Sequence, residues 1–405
     1  MQSELQYIEL YHEAADLICQ RSCAVMNAVR DGAFQAFAAQ GFPSQKVERY
    51  KYTDIDAAFA PNYGISLSPL ELKPSRYIYS FKDAPIDLTP YYNKVADPTD
   101  TLTALNTALV HEGLLIYVPR NDRPSAPIQV DNWLRGTSPT MVNRRVLILL
   151  EENAEATIVM NDHATDKQHF LSTQVVEVVC KPNARLDLYE IEDTHPLCAR
   201  FSNVYIQEGR DCSVKHNVVT LFNGLTRNLC DVYLQGENAE ITLNGCAIGS
   251  GSQHIDNNTL IVHQVPRCQS NQLYKYVLDD HSVGAFAGKI LVEKDAQKTT
   301  SQETNANLCA SPTARVYTQP MLEIYADDVK CNHGSTVGVL DESALFYMCQ
   351  RGIPEAEART LLKNAFMGQV IDQIQYQPLR DKLYVKVEKR FRGELDKCDD
   401  CRLCK

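Results

Sequence analysis

The segment VLILLEENAEATI, residues 146–158, runs from an apolar stretch through a polar turn into a second stretch where apolar and polar residues alternate. Short β-branched and apolar runs bounded by Asn, Gly, Asp and Pro are the pattern of strands and turns. The segment returns as VVEVVCKPNARLDL (175–188), NVYIQEGRDCSV (203–214) and DVYLQGENAEITL (231–243). Aligning Ala154, Ala184, Arg210 and Ala239 gives spacings of 30, 26 and 29 residues, with Ala156/Ile158, Leu186/Leu188, Cys212/Val214 and Ile241/Leu243 in register. A fifth copy starts at ILVEKDAQ (290–297), where Lys298 and Thr300 are expected to break the second strand. A repeat of this length, built from strands and tight turns, predicts a solenoid in which each coil buries its inward side chains against its neighbours. Between about Leu114 and Ile324 there is almost no helical rhythm. A mainly β fold, a β-helix, therefore fits better than a doubly wound sheet, with a meander or sandwich as the alternative.

Both flanks read differently. Leu5, Ile8, Tyr11, Ala15, Ile18 and Cys19 fall close to one helical face, and Gly41 and Pro43 stop the pattern. A Pro-rich stretch from Val47 to about Asn106 reads as irregular. After the strands, Asp341 is placed to N-cap the helix ESALFYM, Gly352 to end it, and Pro354 to open the next. Ala358, Leu361, Leu362, Ala365 and Phe366 form an apolar stripe on that second helix. Such a hairpin buries little alone, so it either caps the solenoid or docks on another protein. The expected division is residues 1–106 helical and irregular, 107–338 β-helix, and 339–405 helical with a Cys-rich tail.

The 405 residues carry a net charge of -11 and are 44% hydrophobic. An acidic chain of this kind lacks the basic surface that nucleic acid or an anionic membrane requires. No apolar leader or membrane-length apolar run is visible, so a cytoplasmic protein with no membrane partner is expected. Fourteen cysteines in such a setting are mostly buried small hydrophobes. Phosphate-binding loops, HEXXH and G-x-S-x-G are missing, so no nucleotide binding or common hydrolase chemistry is expected of this chain.

Three polar stretches carry candidate chemistry. DDVKCNHGSTVG (327–338) places Cys331 and His333 two residues apart, on one face if the segment is extended. Thiol and imidazole suit soft metal or sulfur chemistry, but two ligands leave a tetrahedral site unfinished. A buried Cys beside a hydrogen-bonded His at a bend is the plain alternative. The tail CDDCRLCK spaces Cys398, Cys401 and Cys404 like part of a ferredoxin ligand run, without its fourth Cys and Pro. A free-standing iron–sulfur or zinc protein using that tail is thus one competing function. Another is a carbohydrate-active β-helix enzyme, although no strand-borne cluster of acids stands out. The basic segment RDKLYVKVEKRFR (380–392) reads as a solvated helix face, and Asp327 with Asp328 as a turn.

The long stretch ADDVKCNHGSTVGVLDESALFYMCQRGIPEAEARTLLKNAFMGQVID (326–372) closely resembles the C-terminal signature of the SufB/SufD family of iron–sulfur cluster assembly proteins. VERYKYTDI (47–55) resembles the WKYT region of the SufD branch, with Tyr50 where Trp is common. The resemblance implies a right-handed parallel β-helix flanked by helices. It also implies a non-enzymatic scaffold in complex with SufB and two copies of the ATPase SufC, with a homodimer as a possible form without SufB. His333, with Cys331, would share a transient iron–sulfur cluster with SufB. The helical hairpin, through Leu345, Phe346, Leu361, Leu362 and Phe366, would dock SufC, whose ATP-driven dimerisation would shift the SufB interface. It assigns no role to the tail, and leaves flavin binding open.

Overall fold

The computed structural model describes residues 2–68 and 75–394, and the tail with Cys398, Cys401 and Cys404 lies outside the described residues. After two short strands, β1 (Gly64–Ile65) and β2 (Ile78–Ser80), the chain winds through two long sheets. Sheet A contains β3 (Gly113–Val118), β5 (Thr140–Leu150), β7 (Phe170–Cys180), β9 (Cys198–Glu208), β11 (Leu225–Leu234), β13 (His254–His263), β15 (Val283–Val292) and β17 (Arg315–Ile324). Sheet B, eight-stranded, contains β4 (Ile128–Leu134), β6 (Glu155–Ala164), β8 (Arg185–Asp193), β10 (Ser213–Phe222), β12 (Glu240–Gly249), β14 (Gln269–Leu278), β16 (Thr300–Cys309) and β18 (Lys330–Gly338). Successive strands alternate between the sheets, and within each sheet they pair in parallel with the strand one coil away. This is the expected β-solenoid.

The corner between a sheet A strand and the next sheet B strand explains the repeat. Asn153, Asn183, Asp211, Asn238, Arg267 and Lys298 each adopt positive φ there. Asn and Asp tolerate this left-handed conformation best among residues with a Cβ. Corners stack through the backbone: Asn153 N–H donates to Pro182 O (3.1 Å) and Asn183 N–H to Arg210 O (2.9 Å). Ala154, Ala184, Cys212 and Ala239 follow the turning residue. The alignment through Arg210 was therefore two residues out in the third coil. Val214, not Cys212, stands in register with Leu186 and Ile241. A slip of two preserves the in/out alternation of a strand, so the hydrophobic pattern alone could not detect it. Lys298 does not break the later copy; it is that coil's turning residue, and β16 begins at Thr300.

Alternate residues point into the lumen and form one core, including Ile148, Val178, Ile206, Leu188, Leu243 and Phe286. The outer faces are covered by helices. The N-terminal pattern is two helices, α1 (Gln2–Arg21) and α2 (Ala24–Gln40), the latter ended by Gly41 at φ 64°. With α3 (Ile55–Phe59) and α4 (Thr101–Leu109) they bury Tyr7, Ile18, Phe37 and Leu105 against Met141, Leu171 and Phe201 of sheet A. All nine residues of α4 are buried. It lies in the stretch read as irregular, because a helix covered on all sides has no polar face to give it a rhythm. The loop before it is anchored by Glu177, whose carboxylate accepts from Arg145 and from the backbone N–H of Asn93, Lys94, Val95 and Ala96, all within 2.7–3.1 Å.

After β18 come α5 (Glu342–Gln350), α6 (Glu355–Ile371) and α7 (Gln377–Phe391). Asp341 caps α5 by accepting from Ser343 N and Ala344 N, and Pro354 occupies the N-cap of α6, one position before its first turn. α6 and α7 run back along the outside of sheet B, and α5 packs on α6. Met367, Val370, Ile371, Leu379, Leu383 and Val387 pack on Tyr189, Ile191, Val219 and Ile248. The basic segment is thus an anchor, not a wholly solvated face. Lys386 pairs with Asp193, and Arg390 donates to Leu221 O at 2.9 Å and lies over the Phe222 ring.

Candidate functional site

Both sheets stop at an open edge at the solenoid's C-terminal end, among the described residues. In sheet A, β17 pairs only with β15, and in sheet B, β18 pairs only with β16. Both sheets therefore end in an edge whose outer N–H and C=O groups face away from any partner strand of this chain. Around these edges Tyr317, Ile324, Tyr325, Val337 and Val339 are exposed. Grouped exposed apolar residues beside free strand edges mark an interaction surface.

Cys331 and His333 both lie on β18, in extended backbone, so they share the face directed at the lumen. Cys331 packs, with Leu322 and Val329, on the small core of Ile290, Val292, Ala296 and Ala326, and burial raises its thiol pKa. His333 is exposed. Asp327 and Asp328 form the bend before the strand, as expected of a turn. Among the described residues, no three His, Cys, Asp or Glu side chains converge closely enough to hold a metal ion. The pair lies on the terminal strand of sheet B, Cys331 half-buried and His333 exposed.

The lumen behind the pair changes character along its length. In its middle coils, charge is compensated. Asp162 is paired with Arg144 and with Arg200 Nε (2.6 Å), and Glu190 accepts from Arg200 Nη2 (2.6 Å) and His216 Nε2 (3.0 Å). Burial opposes ionisation of Glu190, but the His216 hydrogen bond and the Arg200 guanidinium hold its pKa at about 2. Burial likewise opposes ionisation of Asp162, and its two guanidiniums still hold it well below the usual carboxylate range. These acids are locked inside the solenoid, not aligned along a solvent groove, which removes the geometry a carbohydrate hydrolase needs.

In the last coils the lumen keeps polar groups but, among the described residues, no arginine faces the acid in the column of His333. The column holding His333 runs back through Glu303, Gln272, Leu243 and His216. The column holding Cys331 runs back through Ser301, Ser270 and Ile241. Ser270 and Ser301 hydroxyls are 2.7 Å apart, and His263 Nε2 lies 2.9 Å from Ser270 Oγ. Burial lowers the His263 pKa to about 4. Gln272 Oε1 accepts from Thr259 Oγ1 at 2.8 Å. Glu303 has no hydrogen-bond partner at either carboxylate oxygen among the described residues, and burial pushes its pKa up to about 8. Sequence reasoning passed over Glu303 because it needs the strand register. The available signal was polar: QETNANLC (302–309) is an unusually hydrophilic run for an interior strand.

The docking candidates divide. Phe346 is 65% exposed and Leu361 41% exposed. Leu345 is buried, and Leu362 and Phe366 pack on the sheet B cluster, with the Lys275 ammonium over the Phe366 ring. The stripe read for α6 is thus rotated. Its buried face centres on Thr360, Met367, Gly368 and Ile371, because it packs on both sheet B and α7. VERYKYTDI lies as a strap on the outside of sheet A: Arg49 pairs with Asp231, Arg227 sits over the Tyr50 ring, and Tyr52 stacks on Tyr317 of the last coil at 4.9 Å.

Comparison with known proteins fits this architecture. Residues 133–366 match the core domain of the SufBD proteins of the SUF system for FeS cluster assembly, and residues 1–82 and 78–130 match the SufBD N-terminal region. A SufBD family protein of Synechocystis is 30% identical over 325 residues, covering 78% of this chain and 69% of its own. The iron-sulfur cluster assembly protein SufD of Escherichia coli is 28% identical over 389 residues, covering 89% of this chain and 92% of its own. SufD of Bacillus subtilis is 26% identical over 293 residues, covering 72% and 67%. An open-ended β-solenoid with its signature pair on the last strand, matched along most of its length by these proteins, belongs to the SufBD family of the SUF iron–sulfur cluster assembly system.

Proposed function

We infer that this chain is a scaffold subunit of a SufB–SufC–SufD-type complex, and that clusters are built where its last coil meets a SufB-type solenoid. The observation that carries this is the uncapped C-terminal end, with Cys331 and His333 on its terminal strand and both sheet edges free. A second solenoid meeting that end would cover the exposed Tyr325, Val337 and Val339 and bring its own donors to the half-site. The imidazole of His333 supplies a nitrogen donor to iron. The Cys331 thiol, kept protonated by partial burial, would become a soft thiolate ligand on meeting the metal.

A SufC-type ATPase would dock on the exposed side of α5 and α6. Phe346, with Tyr347 and Leu361, is an apolar group exposed among the described residues. The hydrogen bond and ion pair of α6 with sheet B, Lys275 Nζ to Phe366 O (3.0 Å) and Lys363 to Asp279 (2.7 Å), would carry a pull on α6 into the coils near the open end.

The test is co-expression of the tagged chain with SufB- and SufC-type partners, followed by anaerobic reconstitution with iron and a sulfur donor. Expected is a stable complex whose cluster yield falls in His333→Ala while the complex still assembles. Normal cluster formation by that variant would remove His333 from the mechanism. Failure of all co-purification would remove the scaffold reading.

A further inference from the structure

Glu303 and Glu208 are the two buried carboxyls whose oxygens both lack a partner among the described residues, and of the two Glu303 stands next to the open end, in register with His333. Glu303 is fully buried, yet neither carboxylate oxygen finds a partner among the described residues. Burying a carboxyl without hydrogen bonds is costly in either protonation state. The fold does not require it, since Leu188 and Leu243 fill the same column in earlier coils. The opposite wall makes room for it: a Cβ on Gly288 of sheet A would collide with Glu303 Oε1. One strand further toward the open end, in register, stands the exposed His333. Neighbouring strands lie about 4.8 Å apart, so the carboxyl and the imidazole belong to adjacent rungs of one file leading out of the lumen.

We propose that Glu303 is an iron ligand, which together with His333 receives a ferrous ion at the mouth of the lumen as substrate for assembly beside Cys331. This rests on the assembly reading given above. A carboxylate and an imidazole with open positions form a donor set that suits Fe(II), and the nearby thiol offers the softer donor that sulfide chemistry needs. The bound cation supplies the charge compensation that the fold withholds from Glu303 but gives to Glu190. Water and groups of a partner solenoid fill the remaining positions.

The test is an anaerobic titration of the full-length chain with ferrous ammonium sulfate against a chromogenic Fe(II) chelator. Cys398, Cys401 and Cys404 are replaced by Ser so that tail thiols do not contribute. Glu303→Gln is expected to weaken Fe(II) binding at least roughly tenfold, with a melting temperature equal to or above the parent's, and His333→Ala to weaken it comparably. Should the Gln variant not fold, Glu303→Asp carries the test, with a loss of several-fold expected from the withdrawn carboxylate. Unchanged affinity in the Glu303 variant, or no Fe(II) binding by the parent, overturns the site. Cluster formation in the complex separates the two ideas. A His333→Ala defect there with unchanged Fe(II) affinity in Glu303→Gln defeats this proposal and leaves the assembly reading standing. A tenfold loss in Glu303→Gln with normal clusters from His333→Ala supports the iron site and removes His333 from cluster assembly.

Discussion

Glu190 and Glu303 both point into one lumen, on strands of one sheet, and both are buried. Glu190 is met by Arg200 and His216 and held at about 2. Glu303 meets no hydrogen-bond partner among the described residues and is pushed to about 8. One acid is completed by its neighbours in the fold and the other is not; Glu208, on β9 in a middle coil, shares the unpartnered state of Glu303 among the described residues. Outside, sheet A is covered by α1–α4 and sheet B by α6 and α7, while among the described residues no strand pairs with the outer edges of β17 and β18.

The sharpest way to break this comparison is Arg200→Ala. It strands Asp162 and Glu190 as uncompensated buried charges, and is expected to cost about 3–5 kcal/mol in denaturant unfolding. A cost below about 1 kcal/mol would mean that the middle network does not hold the fold.

Acid should act on the same network. A carboxylate whose folded pKa is depressed contributes stability that is present above its unfolded value, about 4.3 for Glu, and lost as pH falls through the folded value. Stability at the Glu190 site is therefore expected to drain between about pH 4 and pH 2, by roughly 2–3 kcal/mol. Glu190→Gln should flatten that slope in melts run from pH 6 downward.

The open end should behave in the opposite way. His333→Ala is expected to change stability by no more than about 0.5 kcal/mol, while reconstituted cluster yield falls several-fold. Phe346→Ala with Leu361→Ala should likewise leave the melt unchanged. The pair is expected to weaken capture of a SufC-type partner by more than about 1 kcal/mol, roughly fivefold, in a pull-down titration. An equal effect from Leu362→Ala without destabilisation would place the docking face elsewhere.

The smallest expected effect sharpens the contrast from inside. Glu303 has a raised folded pKa, so its burden on the fold grows as pH climbs from the ordinary Glu range toward 8. Gly288 and Phe286 face it from sheet A, Gln272 and His333 flank it in register, and the buried Tyr274 phenol feels its charge; of these only His333 and Tyr274 titrate. Glu303→Gln should raise the melting temperature on the order of 2 °C at pH 8, and less at pH 5. The same shift at both values would show that the carboxyl already has a partner in solution.

Strand periodicity, corner residues and the helical flanks were legible in the sequence because they depend on neighbours a few residues away. Asn153 and Asn183 mark corners because few side chains accept positive φ, and Asp341 marks a helix start because its carboxylate reaches its own first turn. The pair Cys331 and His333 was visible for the same local reason, since period two puts both on one face. Three features were not legible. α4 lost its rhythm because it is buried all round, the third coil slipped by two because alternation survives such a slip, and α6 turned its stripe because two surfaces share it.

The amino-acid sequence by itself determined that this protein winds in coils, where each coil turns, and which residues end the winding. Only the tertiary structure decided which residues stand in one column through the lumen, so that Glu303 lies behind His333 while Arg200 serves two acids at once. Columns join residues one coil apart, and their identity depends on the summed lengths of every intervening turn. That sum is fixed by packing and backbone hydrogen bonds across coils, not by any local preference.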